Sequence, residues 1–576
     1  MREKILLGID AGGTHTDAAL LACREEKVRL LASVKTITRH DDLAISVREV
    51  LAGLAKISGI ADKLAAVDAV TLGTTLAVNA LAQGRADTVG LVLSAGPGLD
   101  PRRFALGEHL CVMPGGLDHR GVEVTAPQPD VVAREASRWR DDKVTTVAVV
   151  GKFSPRNPAH EKIMEKAVAG VCALSVTAGH NLSGALNFPR RIATAYYNAA
   201  VERLHHNFLD ATGQALAAAG IRALPRLLKS DGGAAPAALS RREPVQSILS
   251  GPAASAMGAM ALCPGIDQGC SLLLDVGGTT TDMALFVDGS PVVDRDGMVI
   301  NGRRTLVRAL ASVSIGVGGD SLITAHERRV RVGPLREGPA MAFGGARPTL
   351  LDALNVLDAA QKQYGNAAAS RRGVEALAAG VGIAPDILAG QAVDEALSQI
   401  TRAARALIAG INSRPVYTLA ALRAVRAAEP ARIWLVGGPA DCLRERLAAA
   451  FALPVDIPQH AAVANAVGAA LTLPTASLEI YADTGKRLLR APTLDIEEAI
   501  PPNYTLEMAG RRANELLARM LAAHPAGDGE PDEPGESGGA VEVLEADMFA
   551  VLDDYGRGSR DMRVTSRAAP GIAGRL

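Results

Sequence analysis

Aromatic residues are scarce in this sequence. Phe, Tyr and Trp together occupy 3% of 576 positions, so any core must be built from Ala, Val, Leu and Ile. Neither sign of charge dominates: 61 Lys and Arg stand against 62 Asp and Glu, for a net charge of −1. That balance gives no sign of a nucleic-acid or membrane surface. The 6 cysteines, at 23, 111, 172, 263, 270 and 442, include no C-x-x-C. They read as reduced and mostly buried thiols of a cytoplasmic protein. Long hydrophobic runs are missing too. No stretch approaches the roughly 20 apolar residues of a membrane span, and the run after Arg2 and Lys4 is cut by Gly8 and Asp10, too soon for a signal peptide. What remains, 48% hydrophobic and 21% charged, is an ordinary soluble globular composition. The length suggests two or three domains.

One element is present twice. Residues 6–20 read LLGIDAGGTHTDAAL and residues 272–285 read LLLDVGGTTTDMAL. With Asp10 set on Asp275, the frame D-x-G-G-T-x-T-D-x-A-L holds to Leu20 and Leu285. Each copy is an apolar run ending at an aspartate, a Gly-Gly turn and a second apolar run, the outline of a strand, a tight turn and a strand. Gly-Gly is expected to take up positive φ and to leave its N–H groups uncovered. Such a row of amides cradles phosphate oxygens, and a carboxylate beside it can hold Mg²⁺ through water. A single copy reads equally well as an ordinary hairpin turn. Two copies in one frame point to two similar lobes, each presenting a phosphate loop to a shared cleft. Asp17 and Asp282 read as hairpin-end structural residues.

Residues 4–21 and 27–37 are expected as strands of one sheet, and 42–57 as an amphipathic helix. A strand over Val67–Leu72 leads through Gly73 into Thr74, Thr75 and a helix carrying Asn79. This pattern either places polar groups at the C-terminal end of a sheet or simply caps the helix. Val89–Leu93 and Val144–Val150 read as buried parallel strands. From Pro189 a long helix places Arg191, Thr194 and Asn198 on one polar face, turned either to solvent or into a cleft. We expect this helix to cross between the lobes, and the adjacent His205 and His206 to lie at the surface. Further Gly-Gly turns stand at 318–319 and 437–438. Residues 523–540 are acidic and dense in Pro and Gly, the texture of a disordered linker. The apolar spacing of Val541–Leu552 suits an amphipathic helix docking on a partner, or a segment folding back on its own chain.

Taken together, these elements resemble the hydantoinase A / 5-oxoprolinase family, a branch of the actin–Hsp70–sugar-kinase ATPase superfamily. The resemblance covers about residues 4–475. It rests on GIDAGGTHTD, LGTTLAVNAL, RRIATAYYNA, LSGPAASAMGA, DVGGTTTD, the run VGPLREGPAMAFGGARPTLLDALNVL, WLVGGPA and ANAVGAA, in family order. Three positions depart from the family habit: His15 replaces an aromatic, Ser255 often a glycine, and Phe343 a tyrosine.

The resemblance implies an α/β fold of two actin-like, ribonuclease-H-like lobes around an ATP cleft, with a small C-terminal segment. The expected divisions are 1–185 and 186–475 for the lobes, 476–523 for a helical extension, 524–540 for the linker and 541–576 for the C-terminal segment. It implies ATP and Mg²⁺ as cofactors. Asp10 and Asp275 are then the catalytic carboxylates and Mg²⁺ holders. Gly12, Gly13, Thr14, Thr16, Gly277, Gly278, Thr279 and Thr280 meet the phosphates. Gly318, Gly319, Gly437 and Gly438 line the nucleoside, and Thr75, Asn79 and Asn198 lie on the substrate side. Three functions compete. The first is an ATP-dependent amidohydrolase subunit that phosphorylates a hydantoin-, 5-oxoproline- or lactam-like ring for opening. The second is the ATP-using subunit of a ketone carboxylase, and the third a non-catalytic ATP switch acting on a partner. A hydantoinase B-type subunit is the implied partner, and self-association is left open.

Overall fold

The computed structural model describes residues 2–39, 42–294, 296–327, 329–358, 363–413, 428–522, 541–552 and 558–576. The first lobe opens with strands β1 (Lys4–Ala11), β2 (His15–Arg24) and β3 (Lys27–Ile37). Helix α1 (Leu43–Ala55) follows, then β4 (Ala69–Thr74) and helix α2 (Leu76–Ala82). The Asp42 side chain caps α1 by accepting from the Ala44 amide at 2.9 Å, satisfying one of the donors a helix start leaves open. A second sheet is built from β5 (Val89–Ser94), β6 (His109–Met113), β7 (Thr146–Val150) and, after helix α3 (Ala159–Ala169), β8 (Ser175–Ala178). Its order is β8-β7-β5-β6, all parallel. Helix α4 (Phe188–Ala218) precedes β9 (Pro225–Leu228) and β10 (Ala234–Pro236), which return to the first sheet. That sheet runs β10-β9-β4-β1-β2-β3. All residues of β1 after Lys4 are buried, Asp10 among them, as in a strand covered on both faces.

Helix α4 lies chiefly within the first lobe, although Ala193, Tyr197 and Val201 also pack on Met298, Ile300 and Val307 from the stretch after β13. Phe208, Leu209 and Leu216 pack under the first sheet, while Ile192, Ala195 and Ala199 pack under the second, so α4 is the layer between two sheets of one lobe. Because β9 and β10 complete the first sheet, this lobe runs past the expected division at 185/186. His205 is not at the surface either: it is 1% exposed with Nε2 2.8 Å from Ser240 Oγ.

The second lobe begins with α5 (Ser250–Leu262), β11 (Cys270–Val276), β12 (Thr281–Val287), β13 (Ser290–Pro291) and β14 (Ser312–Ile315). Helices α6 (Leu350–Leu357), α7 (Ala367–Val381) and α8 (Pro385–Asn412) precede β15 (Arg432–Val436), α9 (Ala440–Phe451), β16 (Val455–Asp456) and α10 (Ala464–Leu471). The sheet order is β13-β12-β11-β15-β16, with β14 on β12. The antiparallel hairpin β11–β12 repeats β1–β2, and β15 lies parallel to β11 as β4 lies parallel to β1. The doubled frame is thus a doubled sheet motif, and the expected α/β architecture of two lobes holds.

The two sheets meet through α5 and α10, which pack against each other without intervening side chains. A Cβ on Gly258 of α5 would stand 2.2 Å from the Ala464 carbonyl oxygen, and one on Gly468 of α10 would stand 2.3 Å from that of Ala254. Only glycine permits this approach.

The stretch 476–523, expected to be helical, holds three strands before its helix: β17 (Ser477–Asp483), β18 (Leu488–Ala491), β19 (Ile496–Ala499) and α11 (Leu506–Ala522). Val541–Leu552 is strand β20 rather than a docking helix, and it pairs with β21 (Gly558–Ala568) in the order β19-β18-β17-β21-β20. The fold-back alternative is the one the structure takes. The expected linker, 524–540, lies outside the described residues. Among the described residues, no single helix is long and apolar enough to cross a membrane.

Candidate nucleotide site

Both aspartates stand at strand ends because the next residue but one turns the chain. In each hairpin the first glycine amide closes the turn, Gly12 onto the His15 carbonyl at 3.1 Å and Gly277 onto that of Thr280 at 2.9 Å. Among the described residues the amides of Gly13, Thr14, Gly278 and Thr279 donate to no protein group, as a phosphate cradle requires. Positive φ is not the reason for glycine here, since none of Gly12, Gly13, Gly277 and Gly278 adopts it. Close approach is: a Cβ on Gly278 would stand 2.8 Å from Thr14 Oγ1. The two loops touch, with Thr14 Oγ1 2.5 Å from Thr279 Oγ1.

Register sets carboxylates against each other. Asp10 faces Asp17 across β1–β2, and Asp275 faces Asp282 across β11–β12. Like charges directly opposite destabilise a sheet. Burial raises the Asp10 carboxyl to about 7, with Asp17 adding to the shift and Asn465 and Lys35 opposing it. Burial and then Asp275 raise Asp282 to about 7. Lys35 offsets part of the first pair through its ammonium, 2.8 Å from Asp17 Oδ1. Asp10 Oδ1 is buried without a hydrogen-bond partner, an acceptor suited to a cation. Among the described residues no three His, Cys, Asp or Glu side chains group to hold a metal by themselves.

A pH signature follows. Asp10 binds its proton more tightly in the folded than in the unfolded chain, so ionising it costs stability as pH rises from about 4 through about 7. Asp10→Asn is therefore expected to melt above the wild type at pH 8, by an amount on the order of 1–4 kcal/mol, with the gain fading towards pH 4. Calorimetry of both proteins across that range is the check. A constant difference at all pH values would mean that the carboxyl is not raised.

The other expected site residues divide. The Thr75 hydroxyl donates to the Ala11 carbonyl at 3.3 Å, and the Asn79 amide donates to Thr75 Oγ1 at 3.2 Å, which brings both beside the first loop. Asn198 is 1% exposed. Its amide nitrogen donates to Thr177 and the Arg242 carbonyl, and its oxygen accepts from the Val245 amide. It ties α4 to neighbouring loops instead of facing a substrate. Arg191 on the same face is fully buried, donating to Ser154 Oγ and the Gly151 carbonyl. Thr16, expected at the phosphates, is fully buried against Thr38.

Gly318 and Gly319 are buried and buttress the second loop: the Gly319 and Asp320 amides donate to the Gly277 and Gly278 carbonyls at 2.9 and 2.6 Å. Gly437, at φ +100°, lies against the Val276 carbonyl and Asp275, and Gly438 is exposed beside it. Sequence reasoning missed four neighbours. Ser255 donates to Asp275 Oδ2 at 2.5 Å, and Asn465 donates to Asp10 Oδ2 at 3.3 Å. Arg336 is paired with Asp320 beside the second loop. Together with Lys35 it faces His15, whose imidazole is lowered to about 4, mainly by burial. Ser255 had one signal, its departure from a glycine habit.

Comparison with known proteins agrees with this geometry. The family model described as hydantoinase/oxoprolinase matches residues 191–477, and that of the hydantoinase/oxoprolinase N-terminal region matches residues 6–172. Caprolactamase subunit alpha of Pseudomonas jessenii is 27% identical over 383 residues, covering 61% of this chain and 54% of its own length. The acetophenone carboxylase gamma subunit of Aromatoleum aromaticum is 26% identical over 399 residues, covering 61% and 53%. The chain thus spans about half the length of these curated relatives. An acetone carboxylase structure without nucleotide superposes with a TM-score of 0.73 at 16% identity, covering 100% of this chain and 89% of that one. The likeness to that structure is one of fold. With paired loops, facing aspartates and two adjoining family models, the chain belongs to the hydantoinase/oxoprolinase family.

Proposed function

We propose that this chain is the ATP-using subunit of an enzyme that activates a carbonyl oxygen by phosphorylation, with a hydantoin-, 5-oxoproline- or lactam-like cyclic amide as substrate. The observation that carries this reading is the doubled loop, in which two aspartates and four unengaged amides converge where the lobes touch. Phosphoryl transfer asks for positioning and charge neutralisation more than covalent chemistry. The amides of Gly13, Thr14, Gly278 and Thr279 bind phosphate oxygens, and Gly437 and Gly438 adjoin the nucleoside. The unpartnered Asp10 Oδ1 fits a cation, so Asp10 and Asp275 would hold Mg²⁺, which neutralises phosphate charge when bound. We assign Asp275 to orient or deprotonate a nucleophile, and Thr75 and Asn79 to meet the acceptor.

The second reading, a ketone-carboxylase subunit, draws on the acetophenone carboxylase relative. Because both relatives are named as subunits, we expect a hydantoinase B-type partner to complete either reaction. The test is ATP turnover by the pure chain, with and without such a partner, against a panel of cyclic amides and ketones, with and without bicarbonate. Stimulation by ring amides supports the first reading, and bicarbonate-dependent stimulation by ketones the second. Turnover that ignores the whole panel with the partner present would defeat both.

A further inference from the structure

The two aspartates are held by the same device, built twice. Asp10 stands at the end of β1, and one of its oxygens accepts from Asn465 of α10 at 3.3 Å. Its other oxygen lies 2.4 Å from where a Cβ on Gly73 would stand, at the end of the adjacent parallel strand β4. Asp275 stands near the end of β11, and one oxygen accepts from Ser255 of α5 at 2.5 Å. Its other oxygen lies 2.8 Å from where a Cβ on Gly437 would stand, just past the adjacent parallel strand β15. Each carboxylate therefore has one oxygen pinned by a helix and one against a glycine that leaves room.

The pinning helices are the pair on which the lobes meet. Helix α10 follows the second lobe in sequence but packs on the first sheet, where a Cβ on Gly8 of β1 would collide with the Ala466 carbonyl. Helix α5 lies in sequence between the lobes' sheets and carries Ser255 to the second. Ser255 is 1% exposed and has one proton. The Gly251 carbonyl at 3.2 Å competes for it less well than the carboxylate at 2.5 Å, because a charged acceptor makes the stronger bond.

We propose that Ser255 and Asn465 are positioning residues for Asp275 and Asp10, fixing the direction of each carboxylate beside its phosphate loop. This deepens the ATP reading above and rests on it. Hydrogen bonds to a ligating or charge-stabilising carboxylate set its direction as well as its basicity. Ser255→Ala and Asn465→Leu free the carboxylates to rotate without removing them.

The experiment measures steady-state ATP turnover of the full chain and, separately, binding of a fluorescent ATP analogue with and without Mg²⁺. Each variant is expected to lower kcat by about 10-fold with the ATP KM within about 3-fold of wild type. Analogue affinity without Mg²⁺ is expected to hold, and the tightening on adding Mg²⁺ to shrink by about 10-fold. Ser255→Thr, which keeps the hydroxyl, should recover kcat to within about 3-fold of wild type; a loss caused only by repacking of the helix interface would not be rescued this way. Asp10→Ala and Asp275→Ala run alongside as controls. If both controls keep wild-type turnover, the ATP reading falls and this one with it. If the controls lose turnover while Ser255→Ala and Asn465→Leu, with unchanged melting, match wild type or raise only KM, the positioning proposal alone is overturned.

Discussion

Asp10→Ala and Asp275→Ala are each expected to cut ATP turnover by about 10²-fold or more, the scale of losing one preorganised electrostatic contributor to a transition state. The expectation rests on placement. Each aspartate ends a buried strand beside a turn whose amides are unengaged, each has one oxygen fixed from behind, and the two loops meet at Thr14 and Thr279. The substitutions leave both hairpins intact, because Asp10 and Asp275 take part in their ladders through the backbone. Removing Asp10 also relieves a buried charge raised to about 7, so its variant should be no less stable than wild type at pH 8. Lost activity in a protein that melts no lower would thus separate chemistry from folding. Turnover near wild type in either variant, with unchanged circular dichroism, would falsify the paired-loop site.

What was legible in the sequence follows from which interactions are local. A strand, a Gly-Gly turn and a strand are specified within about fifteen residues, so the doubled frame disclosed both loops, both hairpins and the pairing of lobes. The reason given for the glycines was wrong in detail. Steric room, not left-handed backbone, decides at Gly278, where the neighbour is Thr14 in the other lobe. Such a contact spans more than 260 positions and leaves no mark in a local pattern. The same holds for Ser255 and Asn465, whose partners come from tertiary packing of two small-residue helices. Asn198 and Thr16 illustrate the converse. Polar residues in a recognisable motif looked like ligand contacts, yet each satisfies buried groups of its own lobe.

Of the two readings of the C-terminal segment, the helix failed for a different reason. In Val541–Leu552 the positions 541, 544, 548 and 552 suit a helix, while 546, 548, 550 and 552 suit a strand. The register shift between Val543 and Glu545 breaks the period of two that would have given the strand away. Only β21 decides between them.

Deleting residues 541–576 is therefore expected to lower the melting temperature by more than about 10 °C or to leave the chain insoluble. The loss has three parts. First, Met562 and Val564, at most 1% exposed, leave the core between the C-terminal sheet and α11, and truncating a buried aliphatic side chain typically costs about 2–5 kcal/mol. Second, β17 loses its neighbour along all seven residues from Ser477 to Asp483, exposing apolar side chains and a bare strand edge. Third, Arg156 loses the two bonds, at 2.5 and 2.7 Å, that it makes to Asp561, which leaves a partly buried guanidinium without its carboxylate. The last residues add a link to the site. The Leu473 amide donates to the Gly571 carbonyl, the Ala573 amide to that of Leu471 and the Leu576 amide to that of Ala261. The tail thereby fastens the ends of both helices that hold the aspartates, and turnover should fall along with stability. Two point variants sharpen the test. Val564→Ala should destabilise by about 1–3 kcal/mol, whereas Leu552→Ser, at a position 73% exposed, should change stability by less than about 0.5 kcal/mol. A truncated chain melting within 2 °C of the full one, on the ~2–4 °C per kcal/mol scale of domains this size, would show that β20, β21 and the tail are not part of the protein's own core.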